Sequence, residues 1–455
     1  MDGQTLTILA SVVVCLLVVV LRPGTALGVI IASMFLWPEY LRFPIGIAQM
    51  SVPRMGAVVL FLRMVASPGP HPPRLRGGDL FVIGFYLWMV GANLLAGTPQ
   101  IYLKTIVGSG FDTILMYLVG RRVFSDPGEV KGLMKGLVVT ALAMAPIGLM
   151  ENVTRWSPYL NYLYGREGVS ADGGGSEIRL GMRRAFTSTE QPIFFGMGML
   201  LVTSLMFSCR RVFETRTGMV IGLGASILAV LTSLSSGPWM GLVVFTALNA
   251  LYWAPQLIKP GLAGMALLLV AVEALSNRHF YHLIDYFALD RSNAGAYYRS
   301  RLMEVAVKYL GDYWVLGYGG RKVDYWGPDI DGRTMVDMVN NYIIVATTAG
   351  IFAMFLYIGA KVAVLITLIR CYQSGHAPVR PVAFGLAAGL VALSFSELSV
   401  GLYGPPLLLS FVLMGCSVSC AEWVDLLDRK RAAQGAVSGR RAQGAVAQPA
   451  AAGVE

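Results

Sequence analysis

The chain has 455 residues, 55% hydrophobic and 14% charged, with 36 Lys and Arg against 26 Asp and Glu for a formal net charge of +10. A mean hydropathy of +0.62 excludes an ordinary soluble domain, and long apolar runs without period-2 alternation exclude a membrane β-barrel. The positive balance does not call for nucleic acid, because the basic residues gather in short loops and near the C-terminus, as the positive-inside rule predicts.

In chain order, the first apolar run is Leu6–Leu21, followed by Arg22-Pro23-Gly24. It has neither a basic n-region nor a small-residue cleavage site, so it reads as a retained span rather than a signal peptide. Further spans are expected at Thr25–Trp37, Met55–Ala66, Leu80–Ala96, Ile101–Gly120 and Gly132–Met150, the first two of these being short for a full crossing.

A polar loop, Glu151–Glu190, follows. It carries Arg179, Arg183 and Arg184 shortly before a span that begins near Pro192. Guanidinium forks grip phosphate oxygens bidentately, so three arginines here make an anion site. The alternative is a solvated loop with ion pairs to Glu177 and Glu190. Pro192–Phe207 and Gly218–Leu234 are the next spans. The turn Ser233-Leu-Ser-Ser-Gly-Pro-Trp239 leads into Pro238–Trp253, and Gly261–Leu275 completes residues 1–275 as the first group of spans.

Residues 276–337 form a second polar loop of about sixty residues, and a long ordered loop between spans is usually functional. Arg299 and Arg301 lie in it, and Leu302, Val305, Ala306, Tyr309 and Leu310 recur at helical spacing. Tyr297–Leu310 therefore reads as an amphipathic helix on the membrane or capping the bundle. Arg301 and Glu304, three apart, can equally pair with each other. The aromatic residues of the loop suit sugar stacking or interfacial anchoring. His279 and His282 read as surface histidines rather than as a metal pair.

Asn340 and Asn341 stand at the mouth of the next span. They suit helix capping as well as a hydrogen bond to a substrate hydroxyl. Spans Val339–Ile369, Val382–Val400 and Leu402–Trp423 make up residues 338–428, and residues 429–455 read as a disordered cytoplasmic tail. No paired Gly- or Pro-interrupted segments point to an inverted-repeat transporter. The sum is an all-α polytopic membrane protein of about twelve transmembrane helices with a large extracytoplasmic loop carrying an amphipathic helix.

These segments resemble the O-antigen ligase and polysaccharide polymerase superfamily of bacterial envelope proteins. The matching features are the Arg-containing segment before a Pro/Gly-rich span (Arg184 to Gly196) and the Ser-rich turn ending in Gly-Pro-Trp (Ser233–Trp239). They continue with the Arg-led helix ending in Leu-Gly-x-Gly (Arg301 to Gly319) and the Asn-x-Tyr span start with a later glycine (Asn340, Tyr342, Gly350).

The resemblance implies transfer of a glycan from an undecaprenyl-diphosphate carrier to an acceptor hydroxyl, without metal or cofactor. The reaction would take place at the outer face of the bacterial inner membrane, with polysaccharide assembly proteins as possible partners. It makes Arg184 and Arg301 phosphate binders, with Arg183 and Arg299 beside them, and puts Asp337, Glu190 and Asn340 in the catalytic role. The chain departs from the pattern at two positions. Val339 stands where the family has a histidine, and Ser236 where it often has an arginine, so Asp337, Glu190 or His282 must supply the base. The rival readings are a lipid-linked oligosaccharide flippase or transporter, and a non-catalytic assembly subunit. Transport would draw on charges inside spans, for which Lys104, Asp112, Glu273 and Glu397 are the candidates.

Overall fold

The structure is a computed structural model that describes residues 3–67, 74–96, 99–159, 178–257, 294–319 and 321–446, with a few positions between 259 and 270. Its helices are α1 (Gly3–Val20), α2 (Pro23–Leu36), α3 (Val52–Ala66), α4 (Gly77–Ala96), α5 (Pro99–Gly110), α6 (Met116–Phe124), α7 (Pro127–Thr154) and α8 (Pro192–Ser208). They continue with α9 (Arg216–Thr232), α10 (Ser236–Leu251), α11 (Ala294–Lys308), α12 (Leu310–Tyr313), α13 (Asn341–Gln373), α14 (Arg380–Ser396) and α15 (Pro405–Val446). A π turn, Phe111–Leu115, joins α5 to α6. Two short antiparallel hairpins pair β1 (Phe43–Ile45) with β2 (Ala48–Met50) and β3 (Ile178–Arg179) with β4 (Met182–Arg183).

Helix makes up 77% of the structure, and the chain is a helical membrane protein by length and apolarity. Five helices among the described residues are long and apolar enough to cross a membrane: α1, α4, α7, α13 and the Pro405–Gln434 part of α15. The number is six if α10 and the sharply bent segment after it count as one span. Helices α2, α8, α9 and α14 are apolar but shorter. Proline in the first turn sets the start of α2, α3, α7, α8 and α14, where its missing N–H costs nothing.

Burial ranks the spans. In α15, 83% of the most apolar stretch lies inside the protein, against 22% in α1, so α15 is central and α1 peripheral. Helix α15 packs on α6, α8, α13 and α14, while α2 packs on α7, and α4 on α13. The crossing of α2 and α7 brings backbones together, since a Cβ at Gly136 would stand 2.4 Å from the Cα of Gly28. Without a hydrophobic drive between helices in lipid, such close backbone approach is what holds them.

Charges also cross-link the bundle. Arg121, whose sequence position suggests a flanking loop, is 3% exposed inside α6. Its Nε lies 3.2 Å from Asp79 of α4 and its Nη2 3.0 Å from Glu422 of α15.

Helix α13 is broken. Ala349 and Gly350 leave helical geometry, with Gly350 at φ 86° and ψ 167°. A side chain at Gly350 would run into the Val315 carbonyl, 2.0 Å from its Cβ. The loop after α12 closes the gap. Tyr318 N and Gly319 N donate to the carbonyls of Thr347 and Thr348 (2.6 and 3.1 Å), and Ile351 N donates to the Trp314 carbonyl (2.9 Å). Trp88 Nε1 donates to the Ala349 carbonyl at 2.9 Å. Irregular backbone inside a span is tolerated when protein groups satisfy it in this way.

Helix α11 confirms the helical spacing of its segment: Tyr298, Leu302, Val305 and Ala306 are buried and pack with Ile343 and Ala346 of α13. Residues 429–446, expected as a disordered tail, instead continue α15. The run is rich in Ala, Arg and Gln, which are strong helix formers.

Candidate functional site

The Arg179–Glu190 segment is built onto the end of α7. The β3–β4 hairpin turns through Leu180 and Gly181, both at positive φ (54° and 77°), as a tight two-residue turn requires. The chain then runs inward. Glu151 Oε2 accepts from the N–H groups of Phe186 and Thr187, both at 3.0 Å, and Ser157 Oγ donates to Oε1 at 2.6 Å. Asn152 Nδ2 donates to the carbonyls of Arg183 and Thr232 at 2.5 and 2.8 Å. Glu151 and Asn152 therefore fix where the arginines stand. Sequence reasoning took Glu151 only as a loop boundary. The signal was an acidic residue at the end of an apolar run, which must find donors when buried.

Arg184 Nη2 donates to Ser235 Oγ at 2.7 Å, and Arg179 Nη1 reaches the Leu234 carbonyl at 3.4 Å, so both sit on the turn between α9 and α10. The start of α10 rests in turn on the C-terminal end of α14 and the segment it leads into: Ser396 Oγ donates to the Gly237 carbonyl at 3.3 Å. Arg299 of α11 approaches that segment from the other side, Nε donating to the Ser399 carbonyl at 3.2 Å. Arg299 is close enough to Arg179 and Asp337 to feel both. Burial, then Arg179, weakens its hold on a proton, and Asp337 strengthens it. Surrounding protein raises the Asp337 carboxyl above the usual carboxylate range, while Arg299 and Arg333 draw it back down. Tyr298 OH fixes Asp337 by donating to its carbonyl (2.6 Å) and accepting from its N–H (2.7 Å). The structure thus brings Arg179, Arg184, Arg299 and Asp337 together.

The other expected site residues go elsewhere. Arg183 donates to the Arg155 carbonyl at 2.7 Å and lies over the Phe186 ring, on the α7 side. Arg301 sits on the far side of α11 from Arg299, as residues two apart on a helix do. It pairs with Glu304 at 2.6 Å and donates to the Asp329 carbonyl, so its role is the local ion pair rather than the arginine cluster. Asn340 is a helix cap: its Oδ1 accepts from Tyr342 N and Ile343 N, and its Nδ2 donates to the Leu398 carbonyl at 2.9 Å. With 3% exposure it presents no group to a substrate. The loop aromatics Tyr309, Tyr313, Tyr318 and Trp326 pack on one another, which uses their faces for a local core. His279, His282, Glu177 and Glu273 lie outside the described residues, as does the Lys104 side chain.

Glu190 is exposed and belongs to a second feature, a cavity between α3, α4, α13 and α15. Its larger part has a volume of about 440 Å³ and its smaller part about 250 Å³, and they share Arg42, Arg54, Asp112, Tyr403 and Leu407. Arg54 closes a two-pronged bond on Asp112, Nε to Oδ1 at 2.8 Å and Nη2 to Oδ2 at 2.6 Å. The π turn of Phe111–Leu115 carries Asp112, and such turns recur at functional sites. Glu39 pairs with Arg42 at 2.8 Å, and burial followed by Asp112 pushes the Glu39 carboxyl up to about 7.

At the floor of the cavity, Asn341 Nδ2 donates to Tyr357 OH at 3.1 Å, and Tyr357 OH to Glu397 Oε1 at 2.9 Å. The other Glu397 oxygen is paired with Lys361 Nζ. Both members of that pair are nearly inaccessible, at 0% and 3% exposed.

No protein-family model matches the chain, and a search of curated proteins finds no match either.

Proposed function

We propose that the chain is a membrane-embedded, metal-independent glycosyltransferase of the polymerase or ligase kind, with about twelve crossings in the bilayer. It would move a glycan from an undecaprenyl-diphosphate donor to an acceptor hydroxyl at the extracytoplasmic face of the bacterial inner membrane. One observation carries this reading: Arg179 and Arg184 of one loop segment sit on the Leu234–Ser235 turn, and Arg299 of α11 lies close enough to Arg179 and Asp337 to feel both.

In this reading the arginines stabilise charge growing on the diphosphate. The acceptor oxygen bonds to the sugar carbon as the carbon–oxygen bond to the diphosphate breaks, with inversion. The electron pair leaves with the diphosphate, and the acceptor's proton passes to Asp337, whose raised pKa suits a base.

Transport is the second reading. The pairs Arg54–Asp112 and Lys361–Glu397 favour it, since charge buried among spans often marks a pathway. Complementation of a deletion strain separates the two. In the transferase, Arg184→Ala and Arg299→Ala abolish long surface glycan while membrane levels of the protein hold. Normal glycan in both variants, with loss in a cavity variant such as Asp112→Asn, moves transport to the front.

A further inference from the structure

We propose that the cavity beside the arginine cluster binds an uncharged, hydroxyl-rich group, a sugar residue, and that it seats the acceptor glycan. The acceptor role rests on the transferase reading, whereas the binding does not. The larger volume, about 440 Å³, falls within the range of about 300–1,000 Å³ typical of small-molecule sites.

The charged groups of the wall are taken up by one another: Arg42 and Arg54 stand with Asp112 around the larger volume, and Glu39 and Glu190 join them in the adjoining one. Both arginines are already paired with carboxylates. A phosphate entering here meets closed guanidinium forks and the exposed Glu190.

A polyol fits the same wall well. Its hydroxyls can donate to the carboxylate oxygens and accept from Gln49 or from the second amide proton of Asn341. Phe85, Tyr357 and Phe411, packed on one another, make the apolar part of the wall together with Met89 and Leu407. Tyr403 joins the two regions. It lines the cavity, and its phenol is raised first by burial and then by the charge of Asp337. Tyr403 thus stands between the cavity and the side where Asp337 lies.

The test uses the full-length protein in lipid nanodiscs and a decyl maltoside bearing a diazirine on its sugar. Cross-linked residues are mapped by mass spectrometry, with plain decyl maltoside and decyl phosphate as competitors. Labels on Gln49, Ser109 or Tyr403 that the maltoside displaces and the phosphate does not are the expected result. Gly108→Phe should weaken labelling roughly tenfold, because the only atom near an added Cβ is Arg54 Nη2, at 3.9 Å, so the ring projects into the cavity. Gln49→Leu should also weaken it, and this change leaves in place the backbone carbonyl that Arg54 uses. Arg184→Ala should leave labelling unchanged even where it abolishes glycan synthesis, which separates this inference from the transferase reading. Displacement by decyl phosphate at equal or lower concentration, or unchanged labelling in both cavity variants with normal gel-filtration profiles, overturns it.

Discussion

Two sets of arginines in this protein do different work. Arg54 and Arg121 are buried among helices and close on carboxylates, Asp112 for one and Asp79 with Glu422 for the other. Arg179, Arg184 and Arg299 stand at the loop end of the bundle and reach carbonyl and hydroxyl oxygens of two turns. A buried ion pair has its geometry fixed, because opening it leaves a charge in a low-dielectric interior. A bond from a guanidinium to a neutral carbonyl or hydroxyl leaves no second buried charge to compensate. The interior set ties helices to one another, and the outer set ties loop segments to turns at one end of the bundle.

The largest effect that tests this contrast is expected at the deepest pair. Glu397→Ala leaves Lys361 uncompensated and should cost about 3–5 kcal/mol, read as a lowered melting temperature in detergent and reduced membrane levels. Replacing both residues together, with Lys361→Met and Glu397→Gln, should recover most of that loss; no recovery would mean that the pair does more than neutralise itself.

Asp112→Ala should destabilise in the same way but less, since the Asp112 side chain is 13% exposed and that of Glu397 0%. The loss should shrink when Arg54→Met is added, as a double-mutant cycle would reveal.

Among the outer arginines the expected order reverses: Arg184→Ala abolishes long glycan with little change in melting temperature. Arg301→Ala, which breaks the exposed pair with Glu304 and a bond to the Asp329 carbonyl, should alter neither. A loss of glycan in Arg301→Ala would place the anion site on the wrong face of α11.

The smallest effect is one of pH. The Glu39 carboxyl is raised to about 7 in the folded protein, so the folded state holds that proton more tightly than the unfolded chain does. Its contribution to stability is therefore present at acid pH and lost as pH rises through about 7. Glu39→Gln should flatten that slope in thermal melts between pH 5 and 8. An unchanged slope would assign it to another group.

Much of the helical layout is legible in the sequence. The expected Leu80–Ala96, Pro192–Phe207, Gly218–Leu234 and Pro238–Trp253 differ from α4, α8, α9 and α10 by a few residues at each end. Apolar run length and a proline at the start are local signals, and they survive folding. Partners are not local. Arg54 and Asp112 lie 58 residues apart, and neither run of sequence shows that the other will face it. The arginines of the cluster are legible as charges on two polar loops, Arg179 and Arg184 on one and Arg299 on the other, but only the fold separates Arg184 from Arg183 and Arg299 from Arg301. A glycine inside an apolar run is equally ambiguous, so the break at Gly350 could not be told from a packing glycine.

That break has a consequence for how the protein is made. The loop after α12 is completed by carbonyls of Thr347 and Thr348, and the core of α11 by Ile343 and Ala346. All four residues are synthesised after the loop they complete. During translation, residues 294–319 emerge before their partners exist, and they can reach their final arrangement only once α13 has been threaded into the bilayer. The order of insertion is thereby written into the structure, with the second loop among the last parts to settle.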